Sequence, residues 1–499
     1  MNPISCDGAG WRRFVRGFPA TKPMILIFAC SPFVATSTSA HGASREEPSV
    51  LQTIPDAPEL ADANALRSRL EQAGARFQFT YYGDSFANPS GGVRQGFGYD
   101  GRASAIFDAD LSKIAGWPGG RFRASAYQIH GSSFSANTLD NLMLVSSVEA
   151  PPSTRLFSLW FEQSFGSQAS LRIGQLGADQ EFLISNNANL FVNATFGWPV
   201  LPSNDLPSGG PSYPEATPGA RLAVKPTDGA TLRLAVFNGD PAGPGPGNPV
   251  NRDPSGLAFR LRDPAFLIGE IAYAYNQDQL SVSHDNPRLE GDATGSTTQA
   301  RSFIRTQDSY LPGTIKLGAW LHMGRFADQR FNVLGGLLAI SGLPPQRHRG
   351  DAAVYGVIDQ AVWKTEDRSL GVFARGVATA SDRNPVDLYA DLGFTLMGMF
   401  PTREKDAAGA AFAIGRISPV AQASDRDAVA DSGARNPIRD YEATFEASYK
   451  IAMSGQWSLQ PDIQLVFHPG GHIANPVNPM SAAPIPNAVV FGLRTALRF

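Results

Sequence analysis

The strongest constraint on the fold of this chain is the stretch 487–499, which reads NAVVFGLRTALRF. From Val489 to Phe499 every second residue is apolar or neutral, while the residues between them include Arg494 and Arg498. A period of two is typical of a β-strand with one apolar face and one face that tolerates charge. An apolar outer face, a polar inner face and a terminal aromatic residue indicate the closing strand of a membrane barrel. We therefore expect Phe499 to be needed for closure and assembly.

The same alternation recurs along the chain from residue 76 onward. The clearest examples are residues 441–451 and 457–467, where apolar and polar residues alternate almost without exception. Counting every such segment gives about 18 strands, an even number that places both ends of the barrel on the same side of a membrane. The predicted strands lie at 76–82, 101–111, 120–130, 155–165, 169–176, 220–226, 230–238, 256–262, 266–276, 313–324, 329–340, 353–364, 369–377, 388–397, 408–417, 440–452, 457–467 and 488–499.

The connections between these segments alternate between short and long. Short turns and long external loops are the arrangement typical of outer-membrane barrels. A soluble all-β fold is the alternative, but it does not explain apolar outer faces that persist around the whole circuit. We predict an all-β protein, a transmembrane antiparallel β-barrel of the outer-membrane type with about 16–18 strands. The long connections lie at 85–100, 131–154, 177–219, 239–255, 277–312, 341–352, 378–387, 418–439 and 468–487.

The first part of the chain is typical of an export signal. A basic region is followed by the apolar stretch 24–34 and by small residues at 38–40. We predict a signal peptide over residues 1–42, with cleavage after Ala40 or Gly42. Residues 43–74 are expected to form a short periplasmic or lumen-facing segment, and residues 75–499 the barrel domain.

On this interpretation the polar faces of the strands point into the lumen. In the strand 440–452, Phe445 would face lipid and Glu446 the lumen, so arginine should destabilise the barrel at 445 and be tolerated at 446. Charges inside a closed sheet need water or a partner, which a wet channel supplies. The lumen charges are predicted to be Arg76, Arg102, Arg121, Arg123, Arg172, Arg221, Lys225, Arg233, Arg260, Arg375, Arg494 and Arg498, with Asp108, Glu162, Glu270, Glu442, Glu446 and Asp462.

The longest connection, 177–219, is predicted to fold into the lumen and narrow it, because its prolines and glycines favour one fixed conformation. Its acidic side chains could accept hydrogen bonds from sugar hydroxyls, and its aromatic rings could stack on a pyranose ring. The other interpretation, equally open, is that these residues only attach the loop to the wall. The residues concerned are Asp179, Glu181, Asn204 and Asp205, with Trp198 and Tyr213.

Other patterns in the chain do not add up to a catalytic or cofactor site. Gly83-Asp84-Ser85 is similar to an esterase block, but no matching acid–histidine pair follows near the C-terminus. His468 and His472 have metal-like spacing in a glycine- and proline-rich loop that carries no carboxylate or cysteine. The formal net charge of −3 argues against a nucleic-acid partner. We therefore expect no enzyme activity, no metal and no cofactor.

A series of short segments runs in order from about residue 75 to the C-terminus. These segments are Ser90-Gly-Gly, Tyr99-Asp-Gly-Arg102, Lys113-Ile-Ala-Gly-Trp117, Gln128-Ile-His-Gly131, Trp160-Phe-Glu-Gln163, Gly174-Gln175, Asp179-Gln-Glu-Phe182, Thr195-Phe-Gly-Trp-Pro199, Leu206-Pro-Ser-Gly-Gly-Pro211, Phe237-Asn-Gly-Asp-Pro-Ala-Gly243, Tyr389-Ala-Asp391, Arg416-Ile-Ser418, Gln460-Pro-Asp462 and His468-Pro-Gly-Gly471. In these segments the chain resembles the carbohydrate-selective porins of the OprB type.

The resemblance implies a sugar-uptake porin of Gram-negative outer membranes, with a narrow channel lined by charged and aromatic residues. It implies 16 strands rather than 18, and it places Arg102, Asp179, Glu181 and Trp198 at the constriction. The polar stretch 277–312 departs from the family and is expected to alter the channel mouth.

We predict passive diffusion of small sugars; a general or anion-preferring porin is the first alternative, and a barrel enzyme the second. The expected partners are small sugars, outer-membrane lipid and the barrel-assembly machinery, with either a monomer or a homotrimer as the assembly. Asp205 and Tyr213 complete the predicted substrate path.

Overall fold

The computed structural model describes residues 58–277, 311–478 and 480–499. In this part of the chain, sixteen antiparallel strands close into one barrel in which each strand pairs with its neighbours in sequence and β1 pairs with β16. The strands are β1 (Ala75–Ser90), β2 (Gly96–Asp110), β3 (Gly120–Gly131), β4 (Ser153–Phe165), β5 (Ala169–Leu176), β6 (Thr217–Val224), β7 (Ala230–Asn238), β8 (Ala265–Tyr275), β9 (Gly313–Asn332), β10 (Pro345–Lys364), β11 (Ser369–Thr379), β12 (Val386–Met397), β13 (Ala407–Ile417), β14 (Tyr441–Ala452), β15 (Trp457–Phe467) and β16 (Ala488–Arg498).

The helices are short and lie in the connections or before the barrel. Within the described residues, no helix is both long enough and apolar enough to cross a lipid bilayer. One helix, Pro58–Gln72, precedes the barrel within the segment 43–74. The proposed signal peptide lies outside the described residues. The helices are α1 (Pro58–Gln72), α2 (Leu111–Ala115), α3 (Val200–Asp205), α4 (Pro249–Arg252), α5 (Leu338–Ser341), α6 (Pro419–Ser432) and α7 (Pro469–His472).

The last strand closes the ring, as its alternation predicted. β16 pairs with β1 in an antiparallel register that begins with Thr80 opposite Arg498. Beyond the strand, Phe499 continues the ladder: its N–H donates to the carbonyl of Phe79 at 2.9 Å, and its carbonyl accepts from the Phe79 N–H at 3.4 Å. The final residue therefore satisfies two backbone groups on the first strand.

Two of the predicted strands, 256–262 and 329–340, are not separate strands of the barrel. Residues 256–262 lie in the connection between β7 and β8, where Leu257, Phe259 and Leu261 alternate but pair with no neighbouring strand. Residues 329–332 end β9, which is longer than expected, and the chain then turns into β10. The count of 18 is therefore wrong, and the lower limit of 16 is correct. A period of two shows extended backbone, but only a partner strand makes it part of a sheet.

The corrected count changes the side on which one long connection lies. The short connections after β2, β4, β6, β10, β12 and β14 lie at one end of the barrel, here called the turn end, and the long loops at the other, the loop end. Residues 276–312 join β8 to β9, and the pairing of Tyr275 with Gly313 places both ends of this connection at the turn end. The prediction that this stretch is one of the long external loops is therefore wrong. Residues 278–310 lie outside the described residues.

Two loops from the loop end fold inward and fill part of the lumen, L2 (residues 132–152) and L3 (residues 177–216). Their apolar side chains join the largest buried cluster together with inward-facing residues of β11–β13. The wall there is built from small residues, including Gly409 and Gly415. A Cβ on Gly409 would lie 2.7 Å from Leu190 of L3, and one on Gly415 2.8 Å from Val200. These small residues leave the space that L3 occupies, which confirms the predicted inward fold of this loop.

Charged residues of the wall hold the backbone of the inward loops. The Glu446 carboxylate accepts hydrogen bonds from the N–H groups of Val192 and Asn193 at 2.7 and 2.9 Å. On β10 and β11, Asp359 accepts from L3 in the same way, and the Arg375 guanidinium donates to three carbonyls of L3 at 3.0 Å. The prediction that arginine is tolerated at 446 therefore does not fit this structure. Glu446 faces the lumen as expected, but it is a buried loop anchor rather than a solvated wall charge.

Candidate functional site

Four charged residues meet where L3 approaches the wall of β4, β5 and β6. Glu162, Arg172 and Arg221 face the lumen from these three strands, and their register places Glu162 opposite Arg172 and Arg172 opposite Arg221. Glu181 reaches them from L3. We call these four residues the charged cluster. Two carboxylates and two guanidiniums alternate in it, so its formal charges cancel.

The distances within the charged cluster are those of charge-assisted hydrogen bonds. Arg172 donates to Glu162 at 3.0 Å and to Glu181 at 2.9 Å. Arg221 donates to Glu162 at 2.5 Å, and its Nε atom lies 2.6 Å from a carboxylate oxygen of Glu181. Burial alone would raise the pKa of Glu181, but the two guanidiniums outweigh burial and hold that pKa below its ordinary value. Glu181 is therefore ionised at neutral pH, and the charge balance of the cluster is maintained.

Further ion pairs continue along the same wall. Arg123 pairs with Asp108 at 2.5 Å, and Arg233 pairs with Glu270 at 3.3 Å. The side chains of Arg233, Asp108, Glu181, Arg172 and Arg123 keep between 29% and 11% of their surface exposed. Part of each charged group thus remains open to the lumen, where a solute can reach it. The Arg172 guanidinium lies 3.8 Å from the centre of the Trp160 ring and covers one face of it.

Arg102 does not join the charged cluster. Its guanidinium lies over the rings of Tyr127, Tyr213 and Tyr82, at 4.7, 5.0 and 5.4 Å from their centres. Glu181 pairs with Arg172 and Arg221. The ring faces supply the electrostatic attraction that a carboxylate would otherwise provide.

The remaining predicted residues of L3 stabilise the loop. Asp179 accepts a hydrogen bond from the Tyr213 N–H at 2.9 Å, and the Tyr213 hydroxyl donates to the carbonyl of Val148 in L2 at 2.8 Å. Burial raises the pKa of Tyr213, so its hydroxyl stays protonated as this donor. L2 and L3 are therefore joined beside Arg102. The contact of Asp179 with the Tyr213 N–H holds the backbone of L3 in place.

Trp198 and Asp205 lie farther along L3. The Trp198 indole N–H donates to the carbonyl of Gly209 at 3.1 Å, and its ring packs against the buried apolar cluster. Asp205 accepts from the N–H of Val386 at 3.3 Å. Burial raises the pKa of Asp205 well above its ordinary value. For these two residues, the contacts agree with attachment of the loop, the second of the two interpretations left open by the sequence.

Sequence reasoning assigned Glu162, Arg172 and Arg221 to the lumen but did not select them for the substrate path. A signal was present, because all three lie on inward-facing positions of consecutive strands. Their convergence with Glu181 depends on how L3 folds back across the wall, which strand periodicity does not contain.

A closed barrel of sixteen described strands, with exposed apolar residues outside and ion-paired residues and folded loops inside, is an outer-membrane porin. The profile of the family described as "Carbohydrate-selective porin, OprB family" matches residues 94–499. The chain belongs to this family. The resemblance noted in the sequence is thereby confirmed, and with it a sugar-selective porin of the Gram-negative outer membrane. The turn end of the barrel is accordingly periplasmic and the loop end external.

Two known proteins are similar to this chain over most of its length. Porin B of Pseudomonas aeruginosa is 22% identical over 483 residues, which cover 91% of this chain and 94% of that protein. The high-pH structure of OprB from Pseudomonas putida superposes with a TM-score of 0.72 at 20% identity, covering 88% of this chain and 97% of that one. The second likeness supports the same barrel fold.

Proposed function

We propose that this porin mediates passive diffusion of small neutral sugars, and that their path runs along the charged cluster. The observation that carries the proposal is the balance of charge there, with two guanidiniums and two carboxylates held together by ion pairs of 2.5 to 3.0 Å. A cluster without net charge attracts neither anions nor cations strongly. It still presents hydrogen-bonding groups to a polar solute.

The chemistry of the cluster suits sugar hydroxyls. Guanidinium N–H groups donate in a planar fork, while carboxylate oxygens accept, so neighbouring hydroxyls can find both kinds of partner. These groups are already paired with one another, so a sugar hydroxyl that contacts them only replaces a water molecule. The net gain in binding free energy is therefore small. Permeation requires such weak binding, since a solute that binds tightly does not leave.

Catalysis is not part of the proposed function. Ser85, the serine of the esterase-like block, lies within β1, between Tyr99 of β2 and Leu493 of β16. Side chains alternate between the two faces of β1, and Asp84 faces the lumen, where it pairs with Arg494. The neighbouring Ser85 therefore lies on the outer face of the strand. This placement supports a channel rather than an esterase.

Glu181→Gln tests the proposed path. The substitution removes one carboxylate and leaves two guanidiniums facing Glu162 alone. We expect glucose flux to fall in a liposome-swelling assay, and the reversal potential in a potassium chloride gradient to shift towards anion selectivity. Swelling with arabinose, glucose, maltose and sucrose would then define the size of the accepted sugar.

Arg439→Ala is a matched control, because Arg439 forms a comparable ion pair with Asp425 at 2.8 Å in an external loop. It should change neither flux nor selectivity. If Glu181→Gln forms a normal heat-modifiable barrel but matches wild type in both assays, the path does not pass the charged cluster. A wild-type barrel with a strongly anion-selective reversal potential would instead favour the general or anion-preferring porin.

A further inference from the structure

Two histidines and an aspartate converge at the external end of the barrel. Asp440 ends the loop L7 (residues 418–440), immediately before β14, while His468 and His472 begin the loop L8 (residues 468–487), immediately after β15. The Nδ1 atom of His468 lies 2.8 Å from Oδ1 of Asp440, and Nδ1 of His472 lies 3.5 Å from Oδ2. One possible ligand atom from each residue falls within 4.8 Å of the others.

The backbone fixes this arrangement. The carbonyl of His468 accepts hydrogen bonds from the N–H groups of Gly471 and His472 at 2.9 and 3.0 Å, which closes the turn around α7. The Asp440 N–H donates to the carbonyl of Gly471 at 3.1 Å, which ties L7 to that turn. The His468 N–H donates to the side chain of Asn487 at 2.9 Å. The three side chains are therefore brought together by the fold and not only by their own attraction.

The two imidazole rings are oriented towards the same carboxylate. They stack with their centres 4.2 Å apart and their planes inclined by 16°, and the ring of Tyr441 supports His468 at 4.4 Å. Side-chain exposures of 25%, 28% and 38% for His468, His472 and Asp440 leave one side open to solvent. An ion can therefore enter, and water can complete its coordination.

We propose that Asp440, His468 and His472 bind a divalent first-row transition metal ion, with Zn²⁺ the natural candidate. Imidazole nitrogen and carboxylate oxygen are ligands that Zn²⁺ prefers, and three protein ligands plus one water complete a tetrahedron. Ca²⁺ prefers six to eight oxygen ligands, which this site does not offer. The ion takes the place of protons on the two Nδ1 atoms, since only neutral imidazole coordinates a metal. It thereby cross-links L7 to L8 at the channel mouth.

The proposal is tested by titrating ZnCl₂ into the full-length folded barrel in detergent, after treatment with EDTA, by calorimetry. We expect one strongly bound Zn²⁺ per chain in wild type, and no comparable binding of CaCl₂. His468→Ala and His472→Ala should each weaken Zn²⁺ binding by at least about tenfold. Loss of an outer-shell partner already lowers metal affinity by about that factor, and loss of a coordinating side chain should lower it further. Heat-modifiable migration verifies that each variant is folded.

His348 provides the matched control. Its Nε2 atom lies 2.7 Å from Asp328 and 3.8 Å from Asp382, so it pairs with two carboxylates but contributes a single imidazole. His348→Ala should leave Zn²⁺ binding unchanged. If it abolishes binding while the two L8 variants retain it, the assignment of the site is wrong.

A spectroscopic readout distinguishes coordination from charge effects. With CuCl₂ in place of zinc, electron paramagnetic resonance should show two nitrogen ligands in wild type and one in His472→Ala. Zn²⁺ binding that persists in a double His468→Ala and His472→Ala variant would reveal adventitious surface binding only and would overturn the proposal. Neither result depends on sugar transport, so the two proposals fail independently.

Discussion

The attachment of L3 to the wall predicts the effect of Glu446→Ala. The Glu446 side chain is fully buried, and its two oxygens accept the N–H groups of Val192 and Asn193 at 2.7 and 2.9 Å. Alanine leaves both donors buried without this acceptor, at a cost of about 1–3 kcal/mol each. The docked conformation of L3 should therefore be destabilised by about 2–6 kcal/mol relative to a released loop. Because Asp359 and Arg375 still hold other parts of L3, we expect local release near residue 192 and not loss of the barrel.

Single-channel conductance and limited proteolysis measure this release. We expect Glu446→Ala to conduct more ions than wild type and to be cleaved within L3, while heat-modifiable migration shows an intact barrel. Ser448→Ala is the control, since Ser448 faces the lumen from the same strand and accepts from Gln460 of the wall instead of from L3. Wild-type conductance and protease resistance in Glu446→Ala would refute the claim that this carboxylate holds the loop.

Four further predictions concern closure, lipid exposure, the tyrosine rings around Arg102, and pH. Deletion of Phe499 should reduce folded barrel in the outer membrane, because an open edge in lipid leaves backbone groups unpaired; normal levels on heat-modifiability gels would contradict this. Phe445→Arg should destabilise the barrel by roughly 2–4 kcal/mol in a urea titration, and a midpoint equal to wild type would exclude a lipid-facing side chain. Arg102→Ala should leave a space between the three tyrosine rings that surround the guanidinium, lowering glucose flux and raising ion conductance. If both stay at wild-type values, Arg102 has no part in the constriction. Burial raises the pKa of Glu149 in L2 from 4.5 to about 8, so between these pH values the folded state keeps a proton that the unfolded chain releases. The free energy of unfolding should therefore fall as pH rises through that window. Glu149→Gln should reduce this pH dependence of stability, and an unchanged slope would assign the dependence to other groups.

The alternation of residues along the chain was enough to predict the barrel, most of its strands and which face of each points inward. This succeeded because a period of two is a local property, and lipid outside a closed sheet demands apolar residues at every second position. It failed at two places. Residues 256–262 have the same local pattern but no partner strand, and residues 329–340 belong to the end of β9 and the turn that follows it. The error of two strands also moved the connection 276–312 to the wrong end, since each strand reverses the direction of the chain.

The sites depended on tertiary structure. The sequence indicated that L3 folds inward, because proline and glycine restrict it, but the partners of Glu181 follow from where the loop crosses the wall. Arg102 was recognised as a lumen residue, yet its surroundings are rings from two other strands and L3. At the external end, the spacing of His468 and His472 was metal-like, but no carboxylate was at hand and no metal was expected. Antiparallel pairing of β14 with β15 brings Asp440 to the two histidines from a separate loop. Local periodicity determines which way a side chain faces, whereas its partners are decided by the register of strands and loops that are distant in the chain.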